Sequence, residues 1–451
     1  MSRLSVFPGD FDPEAAEYVC AGDGIEPDEM ADLLAGLAGR SVVLRVGAPP
    51  GSRAGGGSAL GARFRLPDPL REYGGHRLRA TGEKHRLLRR HRDWYLGVAT
   101  WGEVEWSGPH QAETAERTGA AHPDLRTALE FCLAEPGEEQ SALRLAGALW
   151  FYWAGCGHPG EGRRWLDRAL ALAPEPTEAR AKALWVTGYL ATLQGDPASA
   201  RPVLEECRRQ ALATGDDRAL AHALHRQGCA ALIGDEPALA TGLFEEALRR
   251  YRAIGELDST VLMAMVELGL ARLFQGDRPG GAFWLGRVRE LCERHGERWA
   301  YAWGLYALAY AHWLDGDIRL ARVRARESVR LSHRLHDLPG IALAIDVLAL
   351  LETEPTGPDR PGDLREARVL QGAAHRIWRA VGRPFFGSRG FGDPHRICER
   401  RAGAGLTGRE SAGFFGRGAR LGLDAAVRRA LGGHGDAEDR PGGRPGERPM
   451  E

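Results

Sequence analysis

The sequence predicts a mainly α-helical protein with one β-hairpin near its start and a long run of paired helices after it. Three observations carry this. A Gly-Asp pair recurs with its aspartate at Asp196, Asp235, Asp277 and Asp317, at intervals of 39, 42 and 40 residues. A second mark keeps the same beat between them, at Gly215-Asp216, Gly255-Glu256, Gly296-Glu297 and His336-Asp337. Strand patterns occur only before residue 83. Two interleaved turn marks with one period mean two helices per repeat, the signature of an α-solenoid.

Taken in order, Asp12-Pro13-Glu14 puts a side-chain acceptor at an N-cap, a proline at the first helical position and an acid in the first turn, so a helix is expected over 13–20. Read instead as a cation site, this stretch lacks the Asp-x-Asp-x-Asp-Gly spacing and the closing glutamate. A second helix over 27–38 carries Met30, Leu33, Leu34 and Leu37 on one face. Residues 41–45 read as a strand and 62–66 as its antiparallel partner, with the Gly/Pro/Ser-rich loop 47–61 between them. Asp68 is placed as the cap of a helix over 69–80. Helix, helix, hairpin, helix is the order of a winged-helix-like domain, expected over 1–82.

Connecting helices are expected over 83–136 and tetratricopeptide-like repeats over 137–351, forming a superhelix. A small residue, Ala200, Ala240, Ala282 or Ala321, follows each marking aspartate by four or five positions, where two helices must approach closely. A large-then-small pair precedes it: Thr187-Gly188, Leu268-Gly269 and Leu308-Ala309. The repeat of Asp235 departs, with Arg226-Gln227 at that place. "GHPGEGRRWLDRALALAP" (157–174) reads as the second helix of an earlier, degenerate repeat. A linker is expected over 352–363 and a C-terminal helical segment over 364–431, with helices at 364–381 and 421–431 flanking a glycine-rich stretch. The tail 432–451 has too little apolar content to fold around and is expected to be disordered.

Sixty basic against 61 acidic residues leave no overall field for nucleic acid or an anionic membrane. The seven cysteines are scattered and never spaced Cys-x-x-Cys, which suits a reducing compartment. No leader segment and no long apolar run are present, so a cytoplasmic protein without a membrane partner is expected. Enzymatic chemistry finds no foothold. There is no Gly-x-x-x-x-Gly-Lys-Ser/Thr, and loop 47–61 lacks the lysine and the strand-to-helix setting of a phosphate cradle. His222 and His225, like His333 and His336, lie three apart on one helix but lack further metal ligands. No activated serine or cysteine nucleophile is marked. No catalytic residue, metal or cofactor is therefore assigned.

The most suggestive constellation is aromatic. Counting back from Asp317, the slots facing the concave groove of such a superhelix fall on Trp303, Tyr306, Tyr310 and Trp313; counting back from Asp196, they include Trp185 and Tyr189. These six form a candidate ligand or partner groove, because rigid aromatic area with a polar handle suits recognition. The alternative is ordinary core, with a tightly wound superhelix or the helix at 364–381 filling the groove. A basic cluster, "KHRLLRRHR" (84–92), offers Lys84, Arg86, Arg89, Arg90 and Arg92 as a nucleic-acid contact, or as a solvated helix face.

The segments "RLSVFPGDFDPEAAEYVCAGDGI", "DLLAGLAGRSVVLR", "RFRLPDPLREYGGHRL" and "RRHRDWYLGVA" resemble the winged-helix part of the large STAND-type ATP-dependent regulators of actinobacteria, close to the LuxR-type and AfsR-like transcriptional regulators. "HPDLRTALEFCL" and "LRLAGALWFYWAGCGHPGEGRRWLDRALAL" continue the resemblance into that family's tetratricopeptide region, and "AHRIWRAVGRPFF" and "GFFGRGARLGLDAAVRRAL" into its closing segment. The family's upstream NTPase domain has no counterpart here. "GLTGRESAGFF" (405–415) echoes the start of a helix-turn-helix but sits better as the family's pre-terminal helix. The resemblance implies a repeat array that senses an inducer or partner.

The resulting expectation is a non-enzymatic regulatory protein that binds a protein, a peptide or a small inducer in the groove, acting on a separately encoded NTPase or regulator. One alternative is a transcriptional regulator contacting DNA through the winged helix and the 84–92 arm. Another is an ATP-binding regulator truncated by a misassigned start.

Overall fold

The computed structural model describes residues 1–46, 61–355 and 361–432. Nearly all of the expected loop 47–61, the middle of the expected linker and nearly all of the expected disordered tail lie outside the described residues.

A 3-10 turn over Ser2–Val6 leads into α1 (Pro13–Cys20). Asp12 caps α1 as its sequence predicts, accepting the N–H of Ala15 at 2.6 Å. The second helix begins later than expected, because Pro27–Glu29 forms a separate 3-10 turn with a Glu26/Glu29 capping box, and α2 runs Met30–Gly39. Of its apolar face, Met30 and Leu34 are buried but Leu33 is 44% exposed. The hairpin is shorter and displaced: β1 is Leu44–Val46 and β2 is Arg63–Arg65, paired antiparallel with Arg45 opposite Phe64. Phe11 adds a bridge to Phe64 through two backbone bonds, so α1 is tied to the hairpin. α3 (Asp68–Thr81) is capped by Pro67 without a side-chain bond, and Asp68 instead holds Arg71 at 2.9 Å.

Two long helices follow, α4 (Lys84–Glu105) and α5 (Gln111–Ala134), packed on one another. Next come α6 (Glu139–Ala148), α7 (Trp150–Gly155) and α8 (Pro159–Leu172). The marked repeats are α9 (Glu178–Leu193) with α10 (Pro197–Thr214), α11 (Asp217–Ile233) with α12 (Pro237–Ala253), α13 (Ser259–Phe274) with α14 (Arg278–His295), and α15 (Trp299–Leu314) with α16 (Ile318–Leu335). Each first helix packs on its own second helix and on neighbouring first helices, α9 on α11 and α13 on α15, which is solenoid stacking.

The physical origin of the repeat is now explicit. Gly195, Gly276 and Gly316 take left-handed φ of 74°, 82° and 81°, and the aspartate after each caps the second helix. Only glycine enters that region without steric cost. Eight residues before each cap, Gly188 and Gly269 let the second helix in: a Cβ on Gly188 would lie 2.4 Å from Leu204, and one on Gly269 2.9 Å from Leu285.

The repeat of Asp235 is shifted by one residue. Here Asp235 itself takes the left-handed turn, φ 61°, and Glu236 is the capping position. With that frame its close-approach residue becomes Gly228, against Phe244, so the departure expected at Arg226-Gln227 disappears. The contact residue four after each cap is then Ala200, Ala240, Gly281 and Ala321, all buried, whereas Ala282 is exposed.

α17 (Leu338–Glu352) and α18 (Leu364–Val381) extend the array. The glycine-rich stretch after α18 is more structured than its composition suggests. It holds a 3-10 turn, Pro384–Gly387, then α19 (Arg389–Gly405) and α20 (Gly408–Arg420), the latter opened by a Thr407/Glu410 capping box. The last helix, α21 (Leu423–Ala430), packs on α18 and α16. Among the described residues, no helix is long and apolar enough to cross a membrane, and the seven cysteines are unpaired and buried.

Candidate functional site

The concave face formed by α9, α11, α13 and α15 does not stand open. Trp185, Tyr189, Trp303, Tyr306 and Tyr310 are buried and Trp313 is half-buried. At its C-terminal end this face is covered by the chain's own residues 382–391, which run from the end of α18 into the first turn of α19. Phe386 stacks on Trp303 at 6.4 Å between ring centres and meets Trp378 of α18 edge-on at 5.2 Å. Phe391 meets Phe274 of α13 at 5.2 Å, and Phe274 in turn packs edge-on against Tyr310.

This covering segment is anchored on successive repeat turns. The N–H of Arg383 donates to the carbonyl of Gln194 at 3.3 Å. Gly195 has no Cβ to obstruct it: one would stand 2.7 Å from the Cβ of Arg383. The shifted turn of the next repeat aims the Asp235 carboxylate at the start of α19, where it accepts from the Ser388 hydroxyl and the N–H groups of Arg389 and Gly390. Burial raises the Asp235 pKa, but these donors outweigh it and hold the carboxyl below its usual range. The segment turns through Phe385 and Phe386, both left-handed at φ 53° and 57°, a conformation bulky side chains avoid.

Under the same face lie buried polar groups. Asp337 caps α17 and accepts from the indoles of Trp303 at 2.6 Å and Trp299 at 3.0 Å; burial pushes its carboxyl up to about 6. Deeper, the shifted repeat puts His222 and His225 in the slots that Trp303 and Tyr306 occupy in the repeat of Asp317. His222 stacks on Trp185 at 4.5 Å and shares Tyr251 with His225, while His225 reaches Glu267 at 2.8 Å. Burial, with Arg226 beside them, holds both histidines well below their ordinary pKa, and burial raises Glu267 to about 7. Arg226 lies over the Tyr189 ring at 3.7 Å. Among the described residues, no group of three or more metal-ligating side chains converges. The histidines belong to a packed hydrogen-bond network with Tyr251, Glu267 and Arg226.

The basic arm on α4 is largely spent inside the fold. Arg90 donates to the carbonyls of Tyr18 and Ala21, binding the N-terminal module to α4. Arg92 is buried and pairs with Asp93 and Glu138; Arg89 also faces Glu138, and Arg86 pairs with Glu83 and Asp23. Of the five, and among the described residues, only Lys84 has neither a carboxylate nor a carbonyl partner.

Sequence reasoning did not find a cavity of about 730 Å³ between α1, the hairpin, α4 and α5. Tyr18, Trp94, Val98 and Trp101 give it an apolar wall, with Asp12 and Arg63 at one end. Its size falls in the usual range for small-molecule sites. The aromatic spacing on α4, Trp94 to Trp101, was the only signal available beforehand.

No family model matches the chain. Three mycobacterial proteins, Mb0914c of Mycobacterium bovis and MT0914 and Rv0890c of Mycobacterium tuberculosis strains, provisionally named HTH-type transcriptional regulators, are 30% identical to it over 228 residues. The match covers 48% of this chain and spans about a quarter, 24%, of the length of each relative. Among solved structures, a Signal Transduction ATPase with Numerous Domains with a tetratricopeptide repeat sensor, PH0952 from Pyrococcus horikoshii, aligns with a TM-score of 0.45 and 12% identity, over 92% of this chain and 64% of that one. That similarity is too distant to carry a function across.

Proposed function

We propose that the chain is a non-enzymatic regulatory protein of the STAND and LuxR-type transcriptional regulator kind, working in the cytoplasm of an actinobacterium. On this reading residues 1–82 are a winged-helix-like module, 83–136 connecting helices and 137–351 a tetratricopeptide-like recognition array. A linker (352–363), the C-terminal helical segment (364–431) and a tail complete the chain. Similarity to proteins named as transcriptional regulators supports the regulatory role. The observation that carries the recognition role is the aromatic groove holding a turned, Phe-rich segment of the chain, because it is a surface of peptide-binding chemistry already in use.

A protein or peptide partner, such as a separately encoded NTPase or regulator, would then engage Trp303, Tyr306, Tyr310 and Trp313 by exchanging with residues 384–391. Trp185 and Tyr189 support the groove from beneath. A small inducer is placed in the cavity beside Trp94 and Trp101. The names of the relatives favour a second reading, direct contact with DNA, though the internal pairing of Arg90 and Arg92 argues against the 84–92 arm as the contact.

The test is capture of partners from host extract by the wild-type chain, by Phe386→Ala and by Trp303→Ala/Tyr310→Ala, with circular dichroism as the folding control. A specific partner captured more strongly by Phe386→Ala and lost in the double variant supports the reading. A partner indifferent to all three substitutions removes the groove from it.

A further inference from the structure

One basic surface, unlike the α4 arm, keeps its charge. α16 carries six arginines against Glu327 alone. At 100° per residue, Arg319, Arg322, Arg326, Arg330 and His333 fall on one side of the helix, and Arg319 to Arg330 cover about 16 Å of its length. The side carrying Ala321, Ala325, Ser328, Val329 and Ser332 is buried; next to it, Arg319 and Arg330 are exposed, while Arg322, Arg326 and His333 are half-buried along its edge towards α17 and α21. Two carboxylates touch it: Glu352 of α17 pairs with Arg322, and Asp424 of α21 meets His333 at 2.8 Å. Among the described residues, Arg319, Arg326, Arg330 and Arg334 have no carboxylate partner. Burial lowers the pKa of Arg326, and Arg322 and Arg330 crowd it further.

The surroundings add to this charge. α21 runs antiparallel beside the row, with Asp424 at His333 and Gly432 at Arg326. Arg428, exposed and one turn on from Asp424, extends the positive surface between them. From residue 364 onward the sequence holds seventeen arginines and ten acidic residues in a chain whose net charge is −1, so this part of it carries a positive excess. Holding like charges together unpaired is unfavourable, and a polyanion relieves it.

We infer that the arginine row of α16, continued by Arg428 of α21, is a binding surface for the phosphate backbone of double-stranded DNA. Guanidinium forks match phosphate oxygens in pairs, and a straight, evenly spaced row suits a regularly charged rod. Among the described residues, this face lacks the central aromatic anchor on which protein interfaces depend and offers only Val323 as an exposed large apolar group beside the row. Backbone contacts of this sort position a protein on DNA without reading sequence. The inference stands apart from the groove, whose failure as a partner site would leave it intact.

The experiment is fluorescence anisotropy of the full chain with labelled duplexes of about 20 base pairs and two unrelated sequences, at salt between about 50 and 200 mM. Both duplexes should bind alike, with a log-log salt slope of roughly −3 to −4, as expected for three or four neutralised phosphates. Arg326→Glu/Arg330→Glu should weaken binding at least about tenfold and flatten the slope by about 2, while Lys84→Glu on α4 leaves both unchanged. If the double variant melts early, Arg330→Gln at an exposed position replaces it, with an expected slope change of about 1. Absence of salt-dependent binding, or binding insensitive to the α16 variants, overturns the inference. Equal affinity for poly-glutamate also overturns it, pointing instead to an acidic protein partner.

Discussion

Asp235 caps a helix that begins 154 residues after it: its carboxylate accepts the N–H of Arg389 at 2.8 Å and the N–H of Gly390 at 3.1 Å. A one-residue shift in the repeat makes this possible. In the neighbouring repeats the equivalent aspartate caps its own second helix; in this one Glu236 occupies the cap position, leaving Asp235 to hold the C-terminal segment.

Asp235→Asn, which tolerates the left-handed turn but loses the charge, is expected to cost about 1 kcal/mol through weakened capping of α19. Hydrogen exchange should speed up over residues 384–391 and stay unchanged in α13 and α14. Uniform faster exchange across the array would mean that Asp235 supports its own repeat after all.

Trp303→Ala should behave as a core truncation and lower stability by about 3 to 5 kcal/mol, since the ring packs on Phe386 and its indole serves Asp337. Chemical denaturation measures this. A loss within about 0.5 kcal/mol, the usual scale for surface positions, would return Trp303 to an open groove.

Asp337 gives the fold a pH signature. Its folded-state pKa of about 6 lies above the ordinary 3.8, so the stability that it contributes is full at low pH and is lost as pH rises from about 4 through 6. Relative to Asp337→Asn, which cannot titrate, wild-type stability should therefore decline by about 2 to 3 kcal/mol across that window. Parallel stability curves for the two proteins between pH 4 and 7 would show that the carboxyl is not perturbed.

Gly188→Ala places a methyl group where Leu204 already stands, and overpacking of this kind costs about 1 to 3 kcal/mol. Combining it with Leu204→Ala should recover part of that loss, because the two share one space. Additive losses would locate the cost of the glycine substitution elsewhere.

By itself the sequence determined the helical repeat. Its period, its capping aspartates and its close-approach glycines are local requirements, each enforced by a backbone angle or a contact within one repeat, and local requirements leave marks at fixed spacing. Asp12 at the start of α1 was legible for the same reason. The state of the candidate groove was not. Whether Trp303 and Tyr310 face solvent depends on Phe386 and Phe391, some 80 residues away, and a period counted along the chain is blind to what packs on the face that it identifies. The shift at Asp235 was hidden because a Gly-Asp pair reads alike whether its aspartate turns the chain or caps a helix. The charge of the two basic runs was likewise decided by packing: "KHRLLRRHR" meets Glu138, Asp23 and backbone carbonyls, whereas among the described residues only Arg322 and Arg324 of the six α16 arginines have a carboxylate partner, Glu352 and Glu327. Electrostatic pairing is a property of neighbours in space, and only the tertiary structure supplies those.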